Sequence, residues 1–121
     1  MVEEIEICNL PLGGLSNETF DEVVRSFDEG DVLVLLSDGL PEAPNSDGHL
    51  LDYPAVKECI EETAYKGAAL VKKSLVELAN GWLEGDQPPD DITFVVFEKN
   101  RQKQSKKKEI PLSSPPPPAT A

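Results

Sequence analysis

Two dipeptides, Asp38-Gly39 and Asp90-Asp91, set carboxylates directly against apolar runs, VLVLLS at 32–37 and ITFVVF at 92–97. Crowded carboxylates repel one another unless a cation offsets their charge, and a ligand set made of oxygens alone suits magnesium or manganese rather than zinc. If the two runs are neighbouring strands, the carboxylates at their mouths converge. A glycine after Asp38 would let the backbone pass close to such an ion. Aspartates in these positions also cap turns, and spacing alone leaves the two roles open. His49, the single histidine, is the other candidate for proton chemistry. It borders a turn-rich loop and is read as solvent-exposed.

The elements that must position these groups follow from periodicity. VLVLLS is apolar at every position but its last and is bounded by turn residues, the pattern of a central strand covered on both faces. Residues 38–48, DGLPEAPNSDG, form a loop by their turn chemistry. A helix is expected from near Asp52, with Pro54 in its first turn and Val56, Cys59, Ile60 and Thr63 on one face, ending at Gly67. A second helix runs from Ala68 to about Trp82, its Val71, Leu75, Leu78, Ala79 and Trp82 recurring at intervals of three and four. Residues 81–89 turn the chain back into ITFVVF, a further strand. Near the start, VEEIEIC at 2–8 alternates apolar and acidic side chains, the period of a half-buried strand. A weaker apolar stretch occupies 20–27.

In order and spacing, these residues resemble a known family. The strings GDVLVLLSDGLPEA at 30–43 and DDITFVV at 90–96, with PLG at 11–13 upstream, look like the closing motifs of SpoIIE-type protein phosphatases, members of the metal-dependent PPM class. The resemblance covers most of residues 10–98. It implies an α+β fold, part of an α-β-β-α sandwich with mainly antiparallel strands and two packed helices. It also implies a site holding two manganese or magnesium ions that hydrolyses phosphoserine or phosphothreonine in a protein. By the same resemblance Asp38 and Asp90 act catalytically as metal ligands through bound metal and water, with Gly39 beside them. Asp91 joins the metal set at a place where the wider family often has Asn. Glu42 matches a family position behind the ligands. The implied substrate is a phosphoprotein similar to a phosphorylated anti-sigma-factor antagonist.

The sequence also departs from that family. Complete members carry an N-terminal half whose Asp-Gly motif supplies an aspartate bridging both ions. Before Asp38 this chain has Asp21, Asp28 and Asp31, and none is followed by glycine. One to three carboxylates do not pre-organise two ions about 3.5–4 Å apart, the spacing of two-metal hydrolysis. The site therefore calls for an N-terminal half or a partner chain, which would also cover the sheet surface such a truncation exposes. The alternative expectation is a non-catalytic remnant that acts as a protein-binding module.

Composition sets outer bounds. A chain of 121 residues, 39% hydrophobic and 28% charged, fits one modest domain on the usual scale of ~100–200 residues. Residues 1–98 carry 5 basic and 22 acidic side chains, net −17, and 99–121 carry 6 and 1, net +5. So acidic a body disfavours nucleic acid and anionic membranes as partners and suits cation binding. No apolar run approaches the ~20 residues of a membrane-spanning helix, and the acidic start is unlike a secretory signal. Cys8 and Cys59 lack a CxxC or histidine context, which points to reduced thiols in a cytoplasmic protein, both read as core fillers. The expected division is thus a phosphatase-type portion at 1–98 and a disordered basic, proline-rich tail at 99–121.

Overall fold

In the computed structural model, which describes residues 1–100, strands β1 (Val32–Leu36) and β2 (Phe94–Glu98) pair antiparallel. Their register runs from Val32 opposite Glu98 to Leu36 opposite Phe94. β1 is built of valine and leucine and β2 mainly of valine and phenylalanine, apolar side chains that fit a pleated surface covered on one side. Hydrogen bonds continue the ladder past both ends: Lys99 N–H donates to Asp31 O at 3.1 Å, and Ser37 N–H donates to Thr93 O at 2.8 Å. The second extension carries the pairing up to the aspartates.

Between the strands lie two helices, α1 (Tyr53–Thr63) and α2 (Ala68–Leu83), joined by a single 3-10 turn at Ala64–Lys66. Asp52 caps α1, its side chain accepting from Tyr53 N–H at 2.7 Å, and Pro54 occupies the first turn, where its missing N–H costs nothing. Gly67, at φ 98°, makes the sharp break between the helices. No side chain of its own caps α2, but the Glu98 carboxylate reaches across from β2 and accepts from Ala68 N–H at 3.3 Å. A negative charge there also suits the positive end of the helix dipole. α2 thereby docks on the sheet edge as well as on its face.

Leu40, Leu51, Val56, Val71, Leu75 and Ala79 form the core, and Val32, Val34, Leu36, Phe94 and Val96 pack against it from the sheet. The fold class is α+β, as the resemblance implied: one helical layer on an antiparallel pair. Among the described residues, only one face of the sheet is covered, which corrects the reading of β1 as a strand buried on both sides. Leu33, Leu35, Val95 and Phe97 on the other face remain 40–53% exposed. Both helices lie between the strands in sequence; α2 packs on β2, and α1 packs on α2.

Residues 2–8 form no strand, against the expectation from their alternation. The first ladder in the described chain begins at Val32. The segment is instead held by side chains: Arg25 Nε donates to Glu3 Oε1 at 2.6 Å, and Asn9 Oδ1 accepts from Asp21 N–H at 3.1 Å. Those two links align 3–9 antiparallel to 21–25 without backbone pairing, and Ile5 and Ile7 stay exposed. Alternation marks a strand only where an edge with free N–H and C=O groups receives it. The tail expected at 99–121 lies, from residue 101, outside the described residues. Among the described residues, no helix is long and apolar enough to cross a membrane.

The two cysteines differ: Cys59 packs against the core as expected, and the reading as a core filler is corrected for Cys8. Cys8 is exposed, whereas Cys59 is part-buried in α1 and its thiol pKa is raised, first by burial and then by Glu62 and Glu77. Reactivity follows access and thiolate fraction. A thiol reagent at neutral pH should therefore modify Cys8 well before Cys59. Mass mapping of a partial-labelling time course checks this, and equal rates would contradict the placement of residues 2–9.

Candidate metal and phosphate site

The two strand mouths meet. Beyond the end of β1, Ser37 Oγ accepts from Thr93 N–H at 3.1 Å and lies 3.4 Å from Asp91 O, to which it donates. Gly39 is buried directly against the backbone of the opposite mouth. A Cβ there would collide with the carbonyl oxygen of Asp91, and would lie 2.8 Å from that carbonyl carbon and 3.2 Å from Ile92 Cα. Its backbone φ is not in the left-handed region, so the position requires glycine for space rather than for conformation. Asp38-Gly39 and Asp90-Asp91, 52 residues apart in the chain, are thus brought to one place.

From Asp38 the chain turns at once. Glu42 N–H donates to Asp38 O at 3.0 Å, and Ala43 N–H donates to Leu40 O at 3.1 Å. Leu40, Pro41 and Ala43 are buried beneath this turn, while Asp38 and Glu42 face solvent. Trp82 of α2 donates its indole N–H to Ala43 O at 2.7 Å, and the returning chain donates from Leu51 N–H to Ala43 O at 3.0 Å and from Asp52 N–H to Pro41 O at 2.7 Å. A largely exposed loop is therefore anchored at its base by an apolar plug and by three hydrogen bonds to two backbone carbonyls, Ala43 O and Pro41 O. His49 is exposed, and its backbone N–H donates to Asn45 Oδ1 at 2.9 Å.

Asp38 has a partner that periodicity did not single out. The Tyr53 hydroxyl, at the first position of α1, donates to Asp38 Oδ1 at 2.8 Å. That hydrogen bond, then desolvation and the negative charges of Asp38, Glu42 and Glu4, push the phenol pKa up to about 12. Tyr53 therefore stays a donor through the neutral range. Asp90 accepts from Asp91 N–H through its own Oδ1 at 2.9 Å, the turn-capping geometry that spacing left open. Asp90 itself is exposed.

Among the described residues, no group of three or more His, Cys, Asp or Glu side chains is placed to hold a metal ion. The donors fit a hard divalent cation in kind, being aspartate oxygens at a tight backbone crossing. They fall short of a cage in number. Compared with known families, the chain matches the model described as Stage II sporulation protein E (SpoIIE) over residues 2–100. No curated protein and no solved structure matches the chain.

Proposed function

The chain belongs to the SpoIIE family, and from that premise we propose that it forms one wall of a metal-dependent phosphatase site acting on phosphoserine or phosphothreonine in a regulatory protein. The observation that carries this reading is the contact of the two strand mouths at Gly39 and Asp91, which gathers Asp38, Asp90 and Asp91 from distant parts of the sequence. Asp38 and Asp90 are the proposed ligands. Asp91 and the Gly39 backbone lie alongside, and Glu42 stands behind on the same turn. Aspartate oxygens suit manganese or magnesium rather than zinc.

Divalent ions bound there would lower the pKa of a coordinated water and offset the charge of the phosphoryl oxygens. What this chain's residues contribute is position. The glycine crossing fixes the spacing of the two mouths, the buried plug of Leu40 and Pro41 holds the loop down, and Tyr53 orients Asp38. The remaining ligands, including a bridging aspartate, belong in this reading to an N-terminal half or a partner chain. A protein similar to an anti-sigma-factor antagonist is the proposed substrate.

A second reading is favoured by the incomplete ligand set and by the exposed face of Leu33, Leu35, Val95 and Phe97: a protein-binding module without catalysis. Thermal unfolding in millimolar manganese separates the two, because a ligand that binds only the folded state raises its stability. At a concentration ten times the dissociation constant, stabilisation is about 1.4 kcal/mol. The site reading expects a higher midpoint in the wild type and none of that rise in Asp38→Ala. A wild-type curve indifferent to manganese and magnesium would favour the binding module instead.

A further inference from the structure

Among the described residues, β2 has an outer edge that no strand occupies. In an antiparallel pair the backbone groups of successive residues point alternately toward the partner and away from it. Ser37 N–H donates to Thr93 O and Lys99 N–H donates to Asp31 O, so Thr93, Val95, Phe97 and Lys99 direct their backbone groups at β1. Those of Phe94, Val96 and Glu98 therefore point outward. Beside that edge a groove of about 250 Å³ opens between α2 and β2, lined by Ala68, Ala69, Lys72, Phe94 and Val96. No residue of β1 lines it, which places it on the outer side of β2. Two alanines in succession at the start of α2 leave the space, and Lys72 beside them has no ion-pair partner among the described residues.

The same chain carries a strand pattern that lacks a ladder. Residues 2–8 alternate, yet they form no strand, and Ile5 and Ile7 are left 46% and 41% exposed. Their ties run from Met1 to Glu61, from Glu3 to Arg25 and from Glu4 to Lys57, none of them on β2. Exposed ion pairs of this kind hold a segment weakly. From these observations we infer that residues 2–8 of a second copy add as a third strand to the outer edge of β2 and set Ile5 and Ile7 into the groove against Ala68 and Ala69. Main-chain pairing with the edge supplies the register, and the groove selects the side chains. Side chains in a strand alternate between faces, so Glu3 shares a face with the two isoleucines and comes to the side of Lys72. Glu4, Glu6 and Cys8 take the solvent side. Each copy gives one segment and receives one, which closes a twofold dimer. The net charge of −17 over residues 1–98 opposes a second copy, and physiological salt screens that repulsion beyond ~8 Å. Nothing in this inference depends on a bound metal ion or on phosphatase activity.

The test is sedimentation equilibrium of the full chain from micromolar to millimolar concentration, in physiological salt and with a reductant, since oxidation of the exposed Cys8 could link copies. The expected mass rises with concentration from 13.2 kDa toward twice that value. Ile5→Asp combined with Ile7→Asp on the donating side, and Ala69→Glu on the receiving side, should each weaken association about tenfold or more, the scale of one buried isoleucine side chain. All three positions are exposed, and a carboxylate in the first turn of α2 suits the helix dipole, so the melting temperature of dilute protein should hold. In a mixture of labelled and unlabelled chains, isotope-filtered NMR should show contacts between the Ile7 methyls of one copy and the Ala69 methyl of the other. A mass that stays at 13.2 kDa throughout overturns the inference. So does a dimer that survives these substitutions but dissociates in Leu35→Asp, because the copies would then meet on the open face of the sheet. A dimer weakened by the isoleucine substitutions and indifferent to Ala69→Glu also overturns it, since the segment would then bind elsewhere than the β2 edge.

Discussion

Gly39→Ala should lower the melting temperature by ten degrees or more and disrupt the site at the same time. The added methyl would enter the backbone of the opposite strand mouth, against the Asp91 carbonyl and within 3.2 Å of Ile92 Cα. No side-chain rotation relieves a collision with main-chain atoms, so the mouths of β1 and β2 must separate. Doing so threatens the Ser37–Thr93 pair of hydrogen bonds at 2.8 and 3.1 Å that closes this end of the ladder. Overpacking of this kind costs ~1–3 kcal/mol and sometimes more, and each kcal/mol shifts the midpoint of a domain this size by ~4–8 °C. Gly81→Ala is the matched control. It lies within α2, a Cβ there meets nothing within 4 Å, and alanine favours helix by ~1 kcal/mol. Equal melting of Gly39→Ala and wild type would show that the two mouths do not touch as described.

The second large effect concerns chemistry. In a protein completed by the half that carries the bridging aspartate, Asp38→Ala and Asp90→Ala should each lower manganese-dependent phosphopeptide hydrolysis by about 100-fold or more. That corresponds to ~2.7 kcal/mol of barrier or above. Neither substitution creates a core cavity, since both aspartates are exposed, so folding should be retained and the loss should appear in rate. Asp91→Ala separates the two neighbouring carboxylates. Its backbone N–H donates to Asp90 and its carbonyl accepts from Ser37, and alanine keeps both groups. A smaller loss than for Asp90→Ala is therefore expected.

Much of the scaffold was legible because it is local. Proline in the first turn after Asp52 sets the start of α1, and the intervals of Val71, Leu75 and Ala79 set α2 to within a residue, while α1 itself stops at Thr63 and a 3-10 turn carries the chain on to Gly67. The apolar runs gave both strands, displaced by at most two residues at an end. What escaped was non-local. VLVLLS reads as buried on both faces, yet Leu33 and Leu35 are open, because composition reports what a strand can bury and not what the chain supplies to cover it. The alternation of VEEIEIC likewise describes a strand that has no ladder in the described chain.

The site divides along the same line. The dipeptides and their neighbouring strands could be read from the sequence, and the structure does bring them together. By its sequence context Gly39 gives room to an ion; the close approach it makes is to the Asp91 carbonyl. Tyr53 was invisible, since no periodicity links it to Asp38, 15 residues earlier. Its contact depends on the loop returning through Ala43 and Pro41 before α1 begins. Tyrosine at a helix start also carries no signal of its own, so only the three-dimensional path of the loop reveals the pair.

The central claim is that Asp38 and Asp90 belong to one wall of a divalent-cation phosphatase site that is incomplete in this chain. Its most direct test is phosphate release from a phosphoserine peptide in manganese, measured for the chain alone and for the chain joined to a SpoIIE-type N-terminal half bearing the Asp-Gly motif. The account predicts near-background release from the chain alone, strong release from the joined protein, and loss of that release in Asp38→Ala and in Asp90→Ala. Undiminished release in both substituted proteins would contradict it.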